Sequence, residues 1–416
     1  MNGKTRQSIS EQATSKNRTV KPRALKGKGL SHALLSVLLA ALLACLAVSG
    51  CSSGAASDQP TTSTGQQPSP GQQSQLGVEY ATGFKIQYMD NGVKLVTDTE
   101  GRELLLVPKE AAVPAGYEDK TLVRTPISRV FFGSTPQIGL LGSLGVDSIY
   151  DSIVGVATEE NEWTTPQVIE RFKSGQIKYV KTDNWGTADA ETMLGMNLDM
   201  VFTTYSPERG KLSQYDAVGL PYVSEGDWLE KSSEAYLEWV KFFAAFYNLD
   251  DLADQVFEAK IAAMKDLAAK VANVPDAERP VLAYAMLYDG TVYTQSSDST
   301  TAKELSKAGA KYYLTDLASE GNLNIGREEF FNRARNADIL VYSGLLMYTP
   351  NKAALLKEDP LFADLKAFKN GQVYIFASDY YMRSADKDVL FQDMVAIAHP
   401  DIAGNHKLSL IIKLPD

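Results

Sequence analysis

The sequence predicts an α/β protein of two similar lobes joined by a single long rigid helix. Three observations lead there. Short apolar runs alternate with helical patterns from residue 127 onward, one unbroken helical pattern lies mid-chain, and the same ordered set of local motifs occurs on both sides of it. Alternating strands and helices build a mostly parallel sheet with helices on its faces.

The chain has 416 residues, a length that suits two or three domains. Residues 1–50 hold eight Lys/Arg and one acid, Glu11, leaving 33 basic against 50 acidic residues in the remainder. A body that acidic is repelled by phosphate backbones, so nucleic acid is not an expected partner. After the basic stretch, residues 33–48 are apolar except for Ser36. A basic region, an apolar region and small residues before a cleavage point describe an export signal, and about 16 residues fall short of the roughly 20 of a membrane-spanning helix.

The apolar run ends in Leu46-Ala47-Val48-Ser49-Gly50-Cys51, which resembles a bacterial lipobox; Leu42-Leu43-Ala44-Cys45 fits less well because Leu43 is bulky. Residues 1–50 therefore read as a lipoprotein signal peptide, with lipid attached to Cys51. Both cysteines, Cys45 and Cys51, lie in this region, so the body has no thiol pair for a disulfide or a metal site. Residues 51–77 are mostly Ser, Gln, Gly, Pro and Thr, too polar to bury a core, and read as a disordered tether.

Residues 78–248 form the expected N-terminal lobe. Residues 84–107 alternate apolar and polar around Asn91-Gly92 and Glu100-Gly101, which predicts antiparallel hairpins. Val130-Phe131-Phe132 reads as a strand, and Ser134-Thr135-Pro136 as a capped helix start running to about Gly142. Thr165-Pro166 opens another helix that Gly175 closes.

Residues 249–274 have apolar positions at Leu252, Val256, Phe257, Ile261, Met264, Leu267, Ala268 and Val271, without Gly or Pro inside. That is helical spacing, with Asp250 and Asp251 placed to favour the helix dipole. Such a strut allows only a modest hinge. Residues 275–416 repeat the first lobe's order. Val281-Leu282-Ala283-Tyr284 answers Val130-Phe131-Phe132, Ala337-Asp338-Ile339-Leu340-Val341 answers Leu198-Asp199-Met200-Val201-Phe202, and Gly371-Gln372-Val373-Tyr374-Ile375 answers Gly219-Leu220-Pro221-Tyr222-Val223.

Taken with these features, residues 78–416 resemble the class III periplasmic binding proteins that serve iron-complex and cobalamin ABC importers. The run from Asp189 through Glu191 and Leu198-Asp199 to Val201 is similar to that family's motif of Glu, a short helix, then Pro-Asp and a strand, although Leu198 stands where the motif has Pro. Arg327-Glu328-Glu329-Phe330-Phe331 leading to Ala337-Asp338-Ile339 is the second-lobe counterpart, and Val395-Ala396-Ile397-Ala398-His399-Pro400-Asp401 looks like the family's terminal helix. The resemblance implies two Rossmann-like lobes and a ligand held in the cleft between them. It also implies ABC permease and ATPase subunits as partners, with docking through one acid per lobe: Glu191, and either Glu328 or Glu329. Acids so separated steer a basic partner; each also suits the first turn of a helix. The location implied is the extracytoplasmic face of the cell membrane, held by the lipid.

Ligands of open α/β sheets sit beyond the carboxyl ends of the strands. The loops expected there carry Trp163, Trp185 and Tyr205 in the first lobe and Tyr288, Tyr381 and Arg383 in the second. Aromatic faces and hydroxyls suit a large, partly apolar ligand, and an Arg suits an anionic one; Arg383 is equally satisfied by Asp379 or Asp386. A ferric siderophore is the expected cargo, with cobalamin or haem as the alternative within the class, and a surface receptor or adhesin lipoprotein as the alternative outside it. Beyond the leader only His399 and His406 remain, so neither a resident metal or cofactor nor a bare transition-metal ion as ligand is expected. His399, before Pro400, reads as a structural helix-end residue. The sequence contains no phosphate loop, nucleophile elbow or paired-histidine zinc motif, and an enzyme is not expected.

Overall fold

The structure is a computed structural model that describes residues 77–207, 212–319 and 321–416. The expected leader over 1–50, its lipidation site at Cys51 and all but the last residue of the expected tether over 51–77 lie outside the described residues.

A four-stranded sheet comes first: β1 (Lys85–Tyr88), β2 (Lys94–Thr97), β3 (Glu103–Pro108) and β4 (Thr121–Thr125), in that order. The first two pairings are antiparallel, as the alternation predicts, and β4 joins β3 in parallel. Next is a wholly parallel five-stranded sheet in the order β7-β6-β5-β8-β9, formed by β5 (Val130–Phe132), β6 (Ile153–Val156), β7 (Lys178–Tyr179), β8 (Met200–Thr204) and β9 (Tyr222–Glu225). Helices Thr135–Gly142 and Pro166–Lys173 start where the Ser-Thr-Pro and Thr-Pro signals place them. Strands covered on both faces must be apolar throughout, and Val130, Phe131 and Phe132 are all buried.

The second lobe is built on a seven-stranded sheet ordered β13-β11-β10-β14-β15-β16. Its strands are β10 (Val281–Tyr288), β11 (Thr291–Gln295), β12 (Lys311–Tyr312, paired with β10), β13 (Asn322–Gly326), β14 (Ile339–Leu345), β15 (Val373–Phe376) and β16 (Ile411–Lys413). The expectation of a mostly parallel sheet holds for β10, β12, β14 and β15, whereas the β10–β11, β11–β13 and β15–β16 pairings are antiparallel. The cause is local. Asp289-Gly290 closes β10 onto β11 with both residues at positive φ (47° and 72°), the geometry of a tight two-residue hairpin.

The repeated motifs have a shared physical role. Asp199 Oδ2 accepts the Arg129 N–H at 3.0 Å just ahead of β5, and Asp338 Oδ2 accepts the Val281 N–H at 2.8 Å at the start of β10. Gly219 and Gly371 each have φ of 67°, a conformation glycine adopts without strain, and each turns a helix end into β9 or β15.

The helix Asp250–Val271, 22 residues and about 33 Å long, packs on the first-lobe helix Ser233–Ala245 and the second-lobe helix Lys387–Ala398. It buries Phe257, Ile261, Met264 and Val271, four of the positions its spacing marks. Its start is tied to the four-stranded sheet, since Asp250 accepts from Lys94 Nζ at 2.5 Å and from the Tyr88 hydroxyl at 3.0 Å. The first lobe's core runs from the parallel sheet into Ser233–Ala245, with Phe132 stacked on Phe202 at 4.9 Å and Phe202 against Phe243 at 5.2 Å. Each such buried ring stabilises the fold by roughly 1.5–3 kcal/mol.

Candidate functional site

The carboxyl ends of β10, β14 and β15 open onto a cavity of about 1170 Å³, the position where open α/β sheets hold ligands. A register break in β14 after Tyr342 turns Ser343 and Gly344 toward it, the kind of redirection a bulge supplies. One wall is aromatic. Phe376 stacks flat on Tyr380 at 3.9 Å, Tyr284 tilts against Phe376 at 6.1 Å, and Tyr381 meets Tyr380 edge-on at 5.3 Å. The phenols of Tyr284 and Tyr380 are pushed above the ordinary range by burial, so they stay protonated and can donate hydrogen bonds.

The opposite side is polar. Arg327 grips Asp359 through Nε and through a second bond of 3.0 Å, and Asp359 also accepts the Leu361 N–H at 2.9 Å. Hydrogen bonding to Arg327 helps hold the Asp359 carboxyl below its usual range. Glu358 accepts from the Tyr342 hydroxyl at 2.5 Å and from Thr349 at 3.2 Å. Asp289, on the β10–β11 turn, completes the charged lining.

Among the described residues, the first lobe brings one side chain to this cavity, Trp228. Trp228 follows β9, and its indole donates to the Tyr205 carbonyl at 3.2 Å. The Trp185 ring stands 6.0 Å from it. Trp185 is carried by a loop whose Gly186 meets the backbone of Gly133, and a Cβ on Gly133 would lie 2.8 Å from the Gly186 oxygen, so neither position admits a side chain unchanged. Beneath Trp228 the buried Glu225 accepts from Gln137 at 3.0 Å and from the Asp227 N–H at 3.2 Å, fixing the turn. Burial and the neighbouring Asp227 raise the Glu225 carboxyl well above its normal range.

Of the residues expected from sequence, Tyr288 and Tyr381 line the cavity, and Trp185 and Tyr205 adjoin Trp228. Trp163 and Arg383 do not reach it. Trp163 is 5% exposed and belongs to the core cluster, with its indole given to the Thr158 carbonyl at 3.2 Å. Arg383 pairs with Asp386 at 2.9 Å and Asp379 at 3.8 Å. It faces a separate space of about 260 Å³ beside Thr164 and Met382.

Glu191 is exposed in the first turn of Ala190–Gly195, whose cap Asp189 accepts the Thr192 N–H at 2.9 Å. Glu328 and Glu329 are exposed in the first turn of Arg327–Ala334, where Glu329 accepts from Arg333 at 2.9 Å. His399 Nε2 lies 3.0 Å from the Gly309 carbonyl, and His406 Nε2 lies 2.6 Å from Asp393; both serve local packing. Sequence reasoning missed Trp228, Tyr284 and Arg327 as lining residues. Trp228 carried a usable signal, since it lies just past the carboxyl end of β9, and Tyr284 ends the apolar run Val281-Leu282-Ala283-Tyr284, although β10 continues to Tyr288. Arg327 did not, because it reads as an ordinary charge in a helix's first turn.

A model of the periplasmic binding protein family matches residues 138–380, and the chain belongs to that family. It is similar to an uncharacterized lipoprotein of Methanocaldococcus jannaschii, at 26% identity over 381 residues covering 89% of this chain and 96% of that one. A second uncharacterized lipoprotein of the same organism is 27% identical over 338 residues, 77% of this chain and 78% of that one. Among solved structures, a periplasmic solute binding protein from Veillonella parvula superposes with a TM-score of 0.56 at 14% identity, covering 76% of this chain and 89% of that one. A periplasmic heme binding protein from Pseudomonas aeruginosa gives 0.53 at 18% identity, covering 70% and 99%. The family is one of extracytoplasmic solute-binding proteins, not of enzymes.

Proposed function

We propose that this chain is the lipid-anchored binding protein of an ABC importer, capturing an iron complex, a ferric siderophore by preference, and delivering it to a permease. The observation that carries the reading is the aromatic-walled cavity of about 1170 Å³ at the strand ends, a volume that suits a drug-sized or larger organic ligand rather than a bare ion. The positions of His399 and His406, each committed to a local hydrogen bond, agree with a chelate rather than an imidazole-bound metal. The heme-binding name of one structural neighbour and the lipoprotein names of two relatives support the cargo class and the anchor at Cys51. For docking, Glu191 and Glu328 have no ion pair among the described residues, whereas Glu329 is held by Arg333, so Glu191 and Glu328 are the proposed pair.

The test is a tryptophan fluorescence titration of the purified protein with ferric siderophores and with the uncomplexed ferric ion. Saturable one-to-one quenching by a chelate and none by the free ion is the expected result. Quenching by the free ion alone overturns the chelate reading.

A further inference from the structure

Two carboxyl groups lie buried at the turn that carries Trp228. Glu225 ends β9 at 1% exposure, and Asp227 opens the turn Asp227–Leu229 at 4%. Glu225 Oε1 accepts from the Gln137 amide at 3.0 Å and the Thr204 hydroxyl at 3.3 Å, and Oε2 accepts the Asp227 N–H at 3.2 Å. The two side chains are themselves in hydrogen-bond contact. Both cannot stay ionised there, because each would be desolvated beside a like charge. One proton therefore bridges them. The buried Asp227 Oδ2 has no conventional donor among the described residues, which leaves it open to that hydrogen bond.

The surroundings decide which group holds the proton. Asp227 faces the Tyr236 hydroxyl and, from the second lobe, the Lys387 ammonium, and both favour its ionised form. Glu225 faces the neutral side chains of Gln137 and Thr204. The charge sits on Asp227 and the proton on Glu225. Glu225 also reaches Trp228 through its main chain. Its carbonyl accepts the Tyr205 N–H at 2.6 Å, and the Tyr205 carbonyl accepts the Trp228 indole N–H at 3.2 Å.

We infer that Glu225 is a positioning residue of the ligand site: by sharing a proton with Asp227 it holds the turn that presents Trp228 to the cavity. Its ligand role rests on the cavity reading above; the shared proton does not.

Infrared difference spectra of the purified protein at neutral pH, wild type against Glu225→Gln, test the proton directly. The carbonyl band of a protonated carboxylic acid should be present in wild type and missing from the variant. Trp228 is followed by acrylamide quenching, its component taken as the difference between each protein and the same protein carrying Trp228→Phe. Glu225→Ala should raise acrylamide access to Trp228 and weaken binding of a ferric trihydroxamate by about tenfold. Glu225→Gln keeps an oxygen for Gln137 and Thr204 and a neutral donor toward Asp227. It should restore the quenching and bring affinity back to within about threefold of wild type. Absence of the acid band, or quenching in Glu225→Gln equal to that in Glu225→Ala, overturns the inference. The infrared measurement decides it even where the alanine variant does not fold. Wild-type affinity in Glu225→Ala, with Trp228 freed, overturns the ligand role. No binding of the trihydroxamate to wild type counts against the chelate reading alone, and the proton and Trp228 measurements still decide the inference.

Discussion

Trp228 and Trp185 meet ring to ring at 6.0 Å, and Trp228 alone continues into the cavity. The pair joins two first-lobe loops, and the Trp228 indole is steered by its bond to the Tyr205 carbonyl. Trp228 is 42% exposed, a large apolar surface that a ligand can cover.

Replacing Trp228 by Ala should therefore weaken chelate binding by about 1–2 kcal/mol, roughly tenfold, as loss of a buried aromatic contact does. It should also remove most of the ligand-induced quenching. Trp163→Phe is the control, since that ring is in the core and bonds to Thr158. Its quenching and affinity should match wild type. Equal loss in both variants places the ligand elsewhere.

Much of the architecture was legible because it rests on short-range chemistry. The Asp199 and Asp338 motifs looked alike in sequence and hold the backbone at the start of β5 and β10 in the same way. Gly219 and Gly371 matched by position and share their φ. The helix over 250–271 followed from its apolar spacing. What failed was the direction of individual side chains. Trp163 and Arg383 lie on loops of the right kind, yet one ring turns inward and one guanidinium is captured by its own helix-start acids. The second lobe's antiparallel strands were missed because Asp289-Gly290, a hairpin signal, went unweighed beside the apolar run before it. Arg327 needed Asp359, 32 residues away, and no local pattern announces such a pair.

The long helix is anchored at its first residue, and this anchor is expected to dominate its stability. Lys94 is buried, and its ammonium is shared by Asp250, the Ala245 carbonyl at 2.8 Å and Asn248 at 3.3 Å. Asp250→Ala leaves that ammonium without its carboxylate. Breaking a buried pair on one side costs roughly 3–5 kcal/mol. Urea unfolding should show a lower midpoint, and Lys94→Met combined with Asp250→Ala should recover part of the loss. A double variant no better than Asp250→Ala argues against a stranded charge as the cause.

Behind the aromatic wall, Lys387 lines a space of about 90 Å³ shared with Tyr284, Phe376 and Tyr380, and its ammonium lies 4.0 Å from the Tyr236 ring centre. Burial pushes that ammonium from 10.5 down to about 8, against the opposing pull of Asp227 and Glu304. Below about 8 the lysine is protonated in both folded and unfolded chains and contributes no slope. Between about 8 and 10.5 the unfolded chain binds the extra proton, so stability rises with pH through that window. The gain is at most about 2 kcal/mol by pH 9.5. Lys387→Met should lose this rise, and unfolding midpoints of the two proteins at pH 7.5 and 9.5 measure the difference. Parallel pH profiles count against the buried ammonium.

The docking proposal separates cargo binding from delivery. Glu191 and Glu328 are exposed, each in the first turn of a helix, one in each lobe, and neither lines the ligand cavity. Charge reversal at either, Glu191→Lys or Glu328→Lys, should leave chelate affinity within about twofold of wild type, because exposed charges at this remove are screened. Association with the permease should fall by roughly tenfold or more per reversal, mostly through the on-rate, and the loss should shrink as salt is raised. Glu329→Lys should do less, since that carboxylate is spent on Arg333 in the free protein. Association rates measured with the permease in nanodiscs at low and high salt decide it. Equal effects at Glu328 and Glu329 would mean that the Arg333 pair opens on docking and does not choose between them.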